Sequence, residues 1–287
     1  MKLLFTGRGT SGSWKIRGQQ LSKAMGATAL PQARDIGPYD AAVIVKRFDL
    51  DLVARIRAAR VPLIWDLVDA WPQPDGNTWN KDECMAWLGL RIKELRPDGI
   101  VAATEAMAYA CQKFDVSVPI LALPHHARPG LERNPIREHV QVVGYEGSES
   151  YITGWRPAIE AECRRRGWRF VTQPASLAEV DIVLALRDAT GYAPRHWKSN
   201  VKLANAQGSG TPFIGCREAG YLEQSIGTCE KWADTPAELA KAFDALTPLG
   251  ERRRVAQWML SVAPSLANMA KTYATWLETV CATPPKS

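Results

Sequence analysis

The stretch His196-Trp197-Lys198-Ser199-Asn200-Val201-Lys202-Leu203-Ala204-Asn205-Ala206-Gln207-Gly208-Ser209-Gly210-Thr211-Pro212-Phe213-Ile214-Gly215-Cys216-Arg217-Glu218-Ala219-Gly220-Tyr221-Leu222-Glu223 decides the reading of this chain. Lys198 and Lys202 stand four apart, the spacing that puts two side chains on one face of a helix. Like charges repel there unless an anion lies between them, and the free amides of a helix N-terminus attract the same anion. Gly208, Gly210 and Pro212 then stop the helix, because glycine accepts the left-handed turn and proline cannot continue the ladder. A short buried strand follows at 212–215, and a second polar turn ends at Glu223. The pattern predicts a helix over 199–209 whose first turn holds a diphosphate. Asn205 and Glu223 serve as partners for ribose or sugar hydroxyls.

The same alternation runs outward in both directions. Short apolar runs at 2–6, 41–45, 62–66, 99–103 and 119–123 predict strands. Amphipathic stretches at 14–25, 51–59, 81–95 and 105–114 lie between them and predict helices. Continuous apolar strands followed by helices mean a parallel sheet covered on both faces. From 123 to 137 the period is lost among three prolines and a glycine, which marks a linker at 128–138. A second alternation follows, with strands at 140–145, 168–171, 181–186 and 212–215 and helices at 156–166, 199–209 and 236–246. The expected organisation is an α/β domain over 1–127, a second over 139–262, and a C-terminal helix and tail over 263–287. In doubly wound sheets ligands sit beyond the carboxyl ends of the strands, so the polar residues there are the candidates.

Gly7-Arg8-Gly9-Thr10-Ser11-Gly12-Ser13 follows the first strand and opens a helix. It matches neither the GxxxxGK[ST] nor the GxGxxG pattern, but its glycines allow a ligand to approach the backbone. Gly9, Thr10, Ser11 and Gly12 are candidate donor contacts. Ser13 is both the expected helix cap and an acceptor-side candidate. Lys46 and Arg47 end the second strand, and Asp66 and Asp69 end the third. Asp69 is a candidate general base toward an acceptor hydroxyl, and Asp66 a more structural acid. His125 and His126 open the linker; adjacent histidines rarely converge on one metal, so a hydrogen bond to substrate or a hinge role is open to them. Gly144, Tyr145, Glu146 and Gly147 end the first strand of the second half, and Arg187 ends a later one. Both belong to the candidate donor pocket, with His196, Asn200 and Tyr221.

The composition sets bounds. The 287 residues carry a net charge of +6, with 46% hydrophobic and 23% charged, as in an ordinary soluble protein with a preference for anionic partners. No apolar run is long enough to span a bilayer, and 2–6 reads as a first strand rather than a leader, which predicts a cytoplasmic protein. Six cysteines are scattered without CxxC or zinc spacing, so free thiols are expected and a metal site is not. Eleven tryptophans suit sugar or base stacking as well as core packing.

The segment Leu203-Ala204-Asn205-Ala206-Gln207-Gly208-Ser209-Gly210-Thr211-Pro212-Phe213-Ile214, with Ala219-Gly220-Tyr221-Leu222-Glu223 after it, resembles the donor-binding segment of GT-B nucleotide-sugar glycosyltransferases. It is nearest the large retaining group of bacterial and phage enzymes. The resemblance covers about residues 139–245 by motif and the first half by general pattern only. It implies two Rossmann-like domains facing a central cleft, with a C-terminal helix crossing their junction. It also implies a nucleotide-sugar donor, first of all a UDP-sugar, and transfer without a metal. Lys202 and the turn at Gly210 and Thr211 would contact that donor, and Lys198 and Lys202 would carry the leaving-group charge. The family's ribose-holding glutamate falls on Asn205, and its upstream glutamate has no counterpart between Arg187 and Lys198. Acceptors open to such an enzyme are a glycan, lipid or small molecule, or a hydroxymethylated base in DNA. The rival readings are a non-catalytic nucleotide or nucleic-acid binding protein on the same scaffold and, less favoured, a Rossmann dehydrogenase or epimerase.

Overall fold

The computed structural model describes residues 1–69, 75–114, 117–188, 190–225, 227 and 229–282. In chain order the elements are β1 (Leu3–Thr6), a π-helical segment (Trp14–Leu21), α1 (Ser22–Ala24), β2 (Thr28–Ala29), β3 (Ala41–Val45), α2 (Leu50–Ala58), β4 (Leu63–Val68), α3 (Lys81–Leu95), β5 (Gly99–Ala102), α4 (Glu105–Gln112) and β6 (Ile120–Ala122). Then come β7 (Val142–Tyr145), α5 (Arg156–Arg166), β8 (Arg169–Thr172), β9 (Ile182–Ala185), α6 (Tyr192–His196), α7 (Val201–Ser209), β10 (Phe213–Gly215), α8 (Ala219–Leu222), β11 (Lys231–Trp232), α9 (Pro236–Leu246), α10 (Leu249–Val262) and α11 (Leu266–Cys281). The chain divides into two compact units, the first of residues 1–125, 191–199 and 265–287, the second of 126–190 and 200–264.

The first unit is built on a six-stranded parallel sheet in the order β2-β1-β3-β4-β5-β6. Side chains alternate across it. Leu63, Trp65 and Leu67 of β4 join one core beneath α2, α3 and α4, while Ile64 and Val68 join a second core on the other face. That second face is closed by the π-helical segment and by α11, whose Tyr273 meets Phe5 edge to face at 5.9 Å. Helix starts follow their local chemistry. Asn80 and Glu83 form a reciprocal capping box at α3, and the Thr104 hydroxyl caps α4 through Met107 N.

The second unit holds a five-stranded parallel sheet in the order β11-β10-β9-β7-β8. Its core runs through Val143, Ile182, Leu184, Phe213, Phe243 and Met259. Thr235 and Glu238 box the start of α9, with Pro236 in its first turn.

Three expectations change. The proline-rich stretch expected as a linker is pinned to the second unit. Asn134 Nδ2 donates to the carbonyls of Leu177 and Val180, and Arg137 pairs with Asp181 at 3.1 Å. The break in hydrophobic period there marks irregular backbone, and its polar groups find partners 40 or so residues away. Residues 191–199, read as part of the second half, belong to the first unit because Ala193 and the fully buried Trp197 enter its core. The helix expected over 199–209 therefore starts only at Val201, and Lys198 lies outside it. No described helix is long and apolar enough to cross a membrane.

Candidate functional site

Each unit gathers polar residues at the carboxyl edge of its sheet. In the first unit three neighbouring strands, β1, β3 and β4, all end in left-handed backbone. Gly7 has φ 129°, Lys46 φ 62° and Val68 φ 56°. A Cβ at Gly7 would lie 2.9 Å from the Val45 carbonyl oxygen, so only glycine fits. Left-handed backbone at a β-branched residue is costly, about 1–3 kcal/mol, and such strain concentrates where a site must be shaped. Val68 also follows a register shift between β4 and β5, which re-aims the next residue, Asp69.

Asp69 is buried and takes two ammonium groups: Lys46 Nζ at 2.5 Å on one oxygen and Lys198 Nζ at 2.7 Å on the other. Burial alone would raise its carboxyl, but Lys198 and Lys46 outweigh that and hold it well below the usual carboxylate range. A carboxylate so stabilised is a poor general base, so the geometry makes Asp69 a clamp for two lysines. Asp66, three residues earlier, is fully buried beside Arg17 (3.8 Å) and Tyr273; burial pushes its carboxyl up despite Arg17. It is enclosed in the first unit's core, where no acceptor reaches it.

The glycine loop behaves in part as expected. Gly9 has φ 79° and would drive a Cβ to 2.4 Å from Pro31, whereas a Cβ on Gly12 would meet open space. The cap is Ser11, whose Oγ accepts from Trp14 N at 3.3 Å. Ser13 is already helical, with no side-chain cap bond. Thr10 and Arg47 are exposed, and Arg8 pairs with Asp49 at 2.7 Å. His196 stacks on Tyr192 at 4.0 Å and belongs with Lys198 to the first unit, whereas Lys202 belongs to the second. His125 and His126 are both buried, and the division between units falls between them.

In the second unit the site forms where β7 ends and α7 begins. Lys202, in the first turn of α7, donates to the Tyr145 hydroxyl at 3.0 Å and lies over its ring at 4.1 Å. Burial keeps that hydroxyl protonated, raised well beyond its usual range despite Arg187. A Cβ on Gly147 would come within 3.0 Å of Lys202 Nζ and 3.1 Å of the Tyr145 hydroxyl, so the missing side chain keeps this face open. Asn205, one turn along α7 on the same side as Lys202, accepts from Arg128 N at 3.1 Å. A backbone N–H only donates, which fixes the Asn205 amide group toward Glu146, at 3.3 and 3.1 Å from its two oxygens. Arg128 Nη1 stands 3.5 Å from the same carboxylate.

The remaining donor-side candidates take structural places. Arg187 is buried at the carboxyl end of β9 and donates through Nε to Glu218 at 2.8 Å, with its guanidinium 5.0 Å from the Tyr151 ring centroid. Gly144 is a packing glycine, since a Cβ there would strike Val180 at 2.6 Å. Gly210 caps the far end of α7 at φ 69° against Leu260, and Thr211 is fully buried, bonded to Ser209. Both lie a helix length, roughly 13 Å, from the first turn, so the donor contact implied for this turn is not where Lys202 is. Tyr221 is buried edge-on to Phe213 at 5.4 Å. Asn200 is buried just ahead of α7, and Glu223 is exposed at the end of α8. Sequence reasoning missed Arg128, Glu218 and Arg17; each acts through a partner 31 to 77 residues away, which no local spacing reveals.

No sequence family matches the chain, and no curated protein is similar to it in sequence. Solved structures are similar in fold. The lipopolysaccharide outer core galactosyltransferase WaaB, in its apo form, superposes with a TM-score of 0.60 at 9% identity, over 97% of this chain and 99% of that one. AviGT4, a glycosyltransferase involved in avilamycin A biosynthesis, gives 0.53 at 14% identity over 98% of each chain. The GtfA/B complex gives 0.57 at 13% identity over 85% of this chain, which spans 57% of the length of that one. At such identities the fold is what is shared, and the fold is GT-B: two parallel sheets of six and five strands flanked by helices.

Proposed function

We propose that the chain is a glycosyltransferase that moves a sugar from a nucleotide-sugar, a UDP-sugar first of all, to an acceptor hydroxyl without a metal ion. In the reaction the bond from the sugar's anomeric carbon to the diphosphate oxygen breaks and a bond to the acceptor oxygen forms. Negative charge grows on the leaving diphosphate, and the proton lost by the acceptor hydroxyl passes to that diphosphate or to solvent. The observation that carries the reading is Lys202: an ammonium held over Tyr145 at the first turn of α7, where helix amides add to its field. Fixed cations aimed at developing charge are the largest single catalytic contribution in many enzymes. Lys198, whose charge Asp69 takes up, is reassigned to shaping the first unit's edge. That edge, with its strained Lys46 and Val68, is the acceptor side in this proposal. A glycan, lipid or small-molecule acceptor is ranked ahead of a hydroxymethylated DNA base. A cytoplasmic site of action is part of the same proposal.

The test incubates the purified chain with UDP-, GDP- and ADP-sugars in EDTA and follows nucleotide release, with and without hydroxymethylated DNA. Release from one donor in EDTA is the expected result, and stimulation by that DNA would reverse the ranking of acceptors. Nucleotide binding with no release under any acceptor would favour the non-catalytic reading, which the uncharged Asn205 motivates.

A further inference from the structure

β8 is an outer strand of the second unit's sheet and pairs with β7. Arg169 at its start and Gln173 just past its end donate their backbone N–H to β7, at the Gln141 and Tyr145 carbonyls. Successive residues of a strand face opposite ways, so the N–H and C=O of Phe170 and Thr172 point away from β7. Among the described residues no strand takes them up. Beside this edge runs a groove of about 250 Å³. Arg156, Glu160 and Arg164 form one wall, at the four-residue spacing of one face of α5. Trp168, Phe170 and Thr172 form the other, at the two-residue spacing of one face of β8. Small-molecule pockets run to roughly 300–1,000 Å³, so this groove accepts side chains rather than a whole metabolite. Its rings are preset and only partly buried. Trp168 stands edge-on to Phe243 at 5.4 Å, and the Arg156 guanidinium lies 5.9 Å from the Phe170 ring centroid. Charge selects the occupant. Arg164 is 72% exposed and stands 3.8 Å from Glu160, a weak solvent-screened pair. Arg169 is exposed on the opposite face of β8, with no ion pair among the described residues. Cations on an open edge keep like edges off it, that of a second copy included, and draw an acidic strand to it.

We propose that the open edge of β8 is a docking site, where an extended acidic segment of a partner protein adds a sixth strand to the second unit's sheet. Its backbone bonds Phe170 and Thr172. One face of its side chains enters the groove over Phe170 and Trp168, and carboxylates on the other face meet Arg169. Arg164, at the rim of the groove, adds to the attraction. The proposal does not depend on the donor reading.

The experiment titrates a fluorescent acetyl-Thr-Glu-Val-Asp-Val-Glu-Thr-amide peptide with the full chain and reads anisotropy. Saturable binding that weakens with salt is expected. The same peptide with lysine in place of each acid should bind at least about tenfold more weakly. Methylating one set of alternate amides in the acidic peptide should weaken binding by at least about tenfold, and methylating the other set should not, because only one set faces β8. Thr172→Pro removes an outward N–H and leaves the ladder to β7 in place, so binding falls by a similar factor. Thr172→Val loses only the hydroxyl bonded to Glu149 and keeps the affinity. Circular dichroism checks that both variants fold. Arg164→Glu together with Arg169→Glu reverses the preference between acid and lysine. No binding at about 1 mM peptide overturns the proposal, as does equal binding of the acidic and lysine peptides. An equal effect of the two methylation sets, with single-stranded DNA displacing the peptide, makes the arginines a general polyanion surface and overturns strand addition. Self-association in sedimentation that Thr172→Pro abolishes gives the edge to a second copy and overturns it too.

Discussion

Asp69, at the carboxyl edge of the first sheet, has an ammonium on each oxygen; Lys202, at the carboxyl edge of the second, faces a phenol. The two edges are built on the same parallel α/β plan, yet they treat charge in opposite ways. The first closes its charges on one another and spends backbone strain to do so, at Lys46 and Val68. The second sets a lysine against the Tyr145 ring and hydroxyl, and meets the Glu146 carboxylate with the Asn205 amide and the half-exposed Arg128. A carboxylate closed by two lysines is a scaffold for shape, whereas a lysine over an aromatic ring in the first turn of a helix stands where the helix amides also favour an anion. In the proposed donor reading the contrast moves the chemistry from Asp69 and Lys198 to Lys202.

The strongest way to break the comparison is at the anchor of the first edge. Trp197→Ala removes a fully buried indole from the core that carries Lys198 to Asp69, and a loss of about 3–5 kcal/mol in denaturant unfolding is expected. A variant as stable as the parent would show that 191–199 is not held by that core.

Asp69→Asn comes next. It leaves two largely buried lysines without their shared anion, and the expected loss is of the same kind, about 3–5 kcal/mol. If Asp69 were instead the base, turnover would collapse with stability unchanged.

Lys202→Ala should cut turnover by roughly 10²–10³-fold while the melting temperature barely moves. A loss of less than tenfold would remove Lys202 from the reaction and erase the difference between the edges.

Acid sharpens the comparison. The Asp69 carboxyl is depressed in the folded chain, so the stability it confers is complete above the unfolded carboxylate range, near pH 4. It is lost as pH falls from there through the lower folded value. The gap between parent and Asp69→Asn, measured by urea unfolding, should therefore narrow below about pH 4. A gap constant with pH would mean that the clamp is not ionic.

The smallest effect is expected from Gly147→Ala. Its methyl crowds the flexible end of Lys202 and the Tyr145 hydroxyl, so nucleoside diphosphate affinity should fall by no more than about tenfold with folding intact. An unchanged affinity would place the bound phosphate away from this face.

Much of the fold was legible. Every strand expected from an apolar run is present to within about two residues, and α3, α5 and α9 have the expected bounds. The two missed strands, Thr28–Ala29 and Lys231–Trp232, are two residues long and carry no periodic signal. The helix expected over 14–25 formed mostly as a π-helical turn around Gly18, whose missing side chain admits the Trp14 ring. The site was legible as a set of residue types at strand ends and illegible as a set of partners. Lys198 and Lys202 are spaced for one helix face, but the buried Trp197 pulls the first out of the helix.

By itself the sequence determined two α/β halves, the places of their strands and helices, and the carboxyl-edge loops where polar residues collect. Apolar runs, caps and breakers act over a few residues, so a linear reading reaches them. Only the tertiary structure decided that β7 lies between β9 and β8, that Glu146 meets Asn205 59 residues away, and that Asp69 meets Lys198 rather than a substrate. Which charges meet depends on strand order and on which side chains each core admits, and neither is written in local spacing.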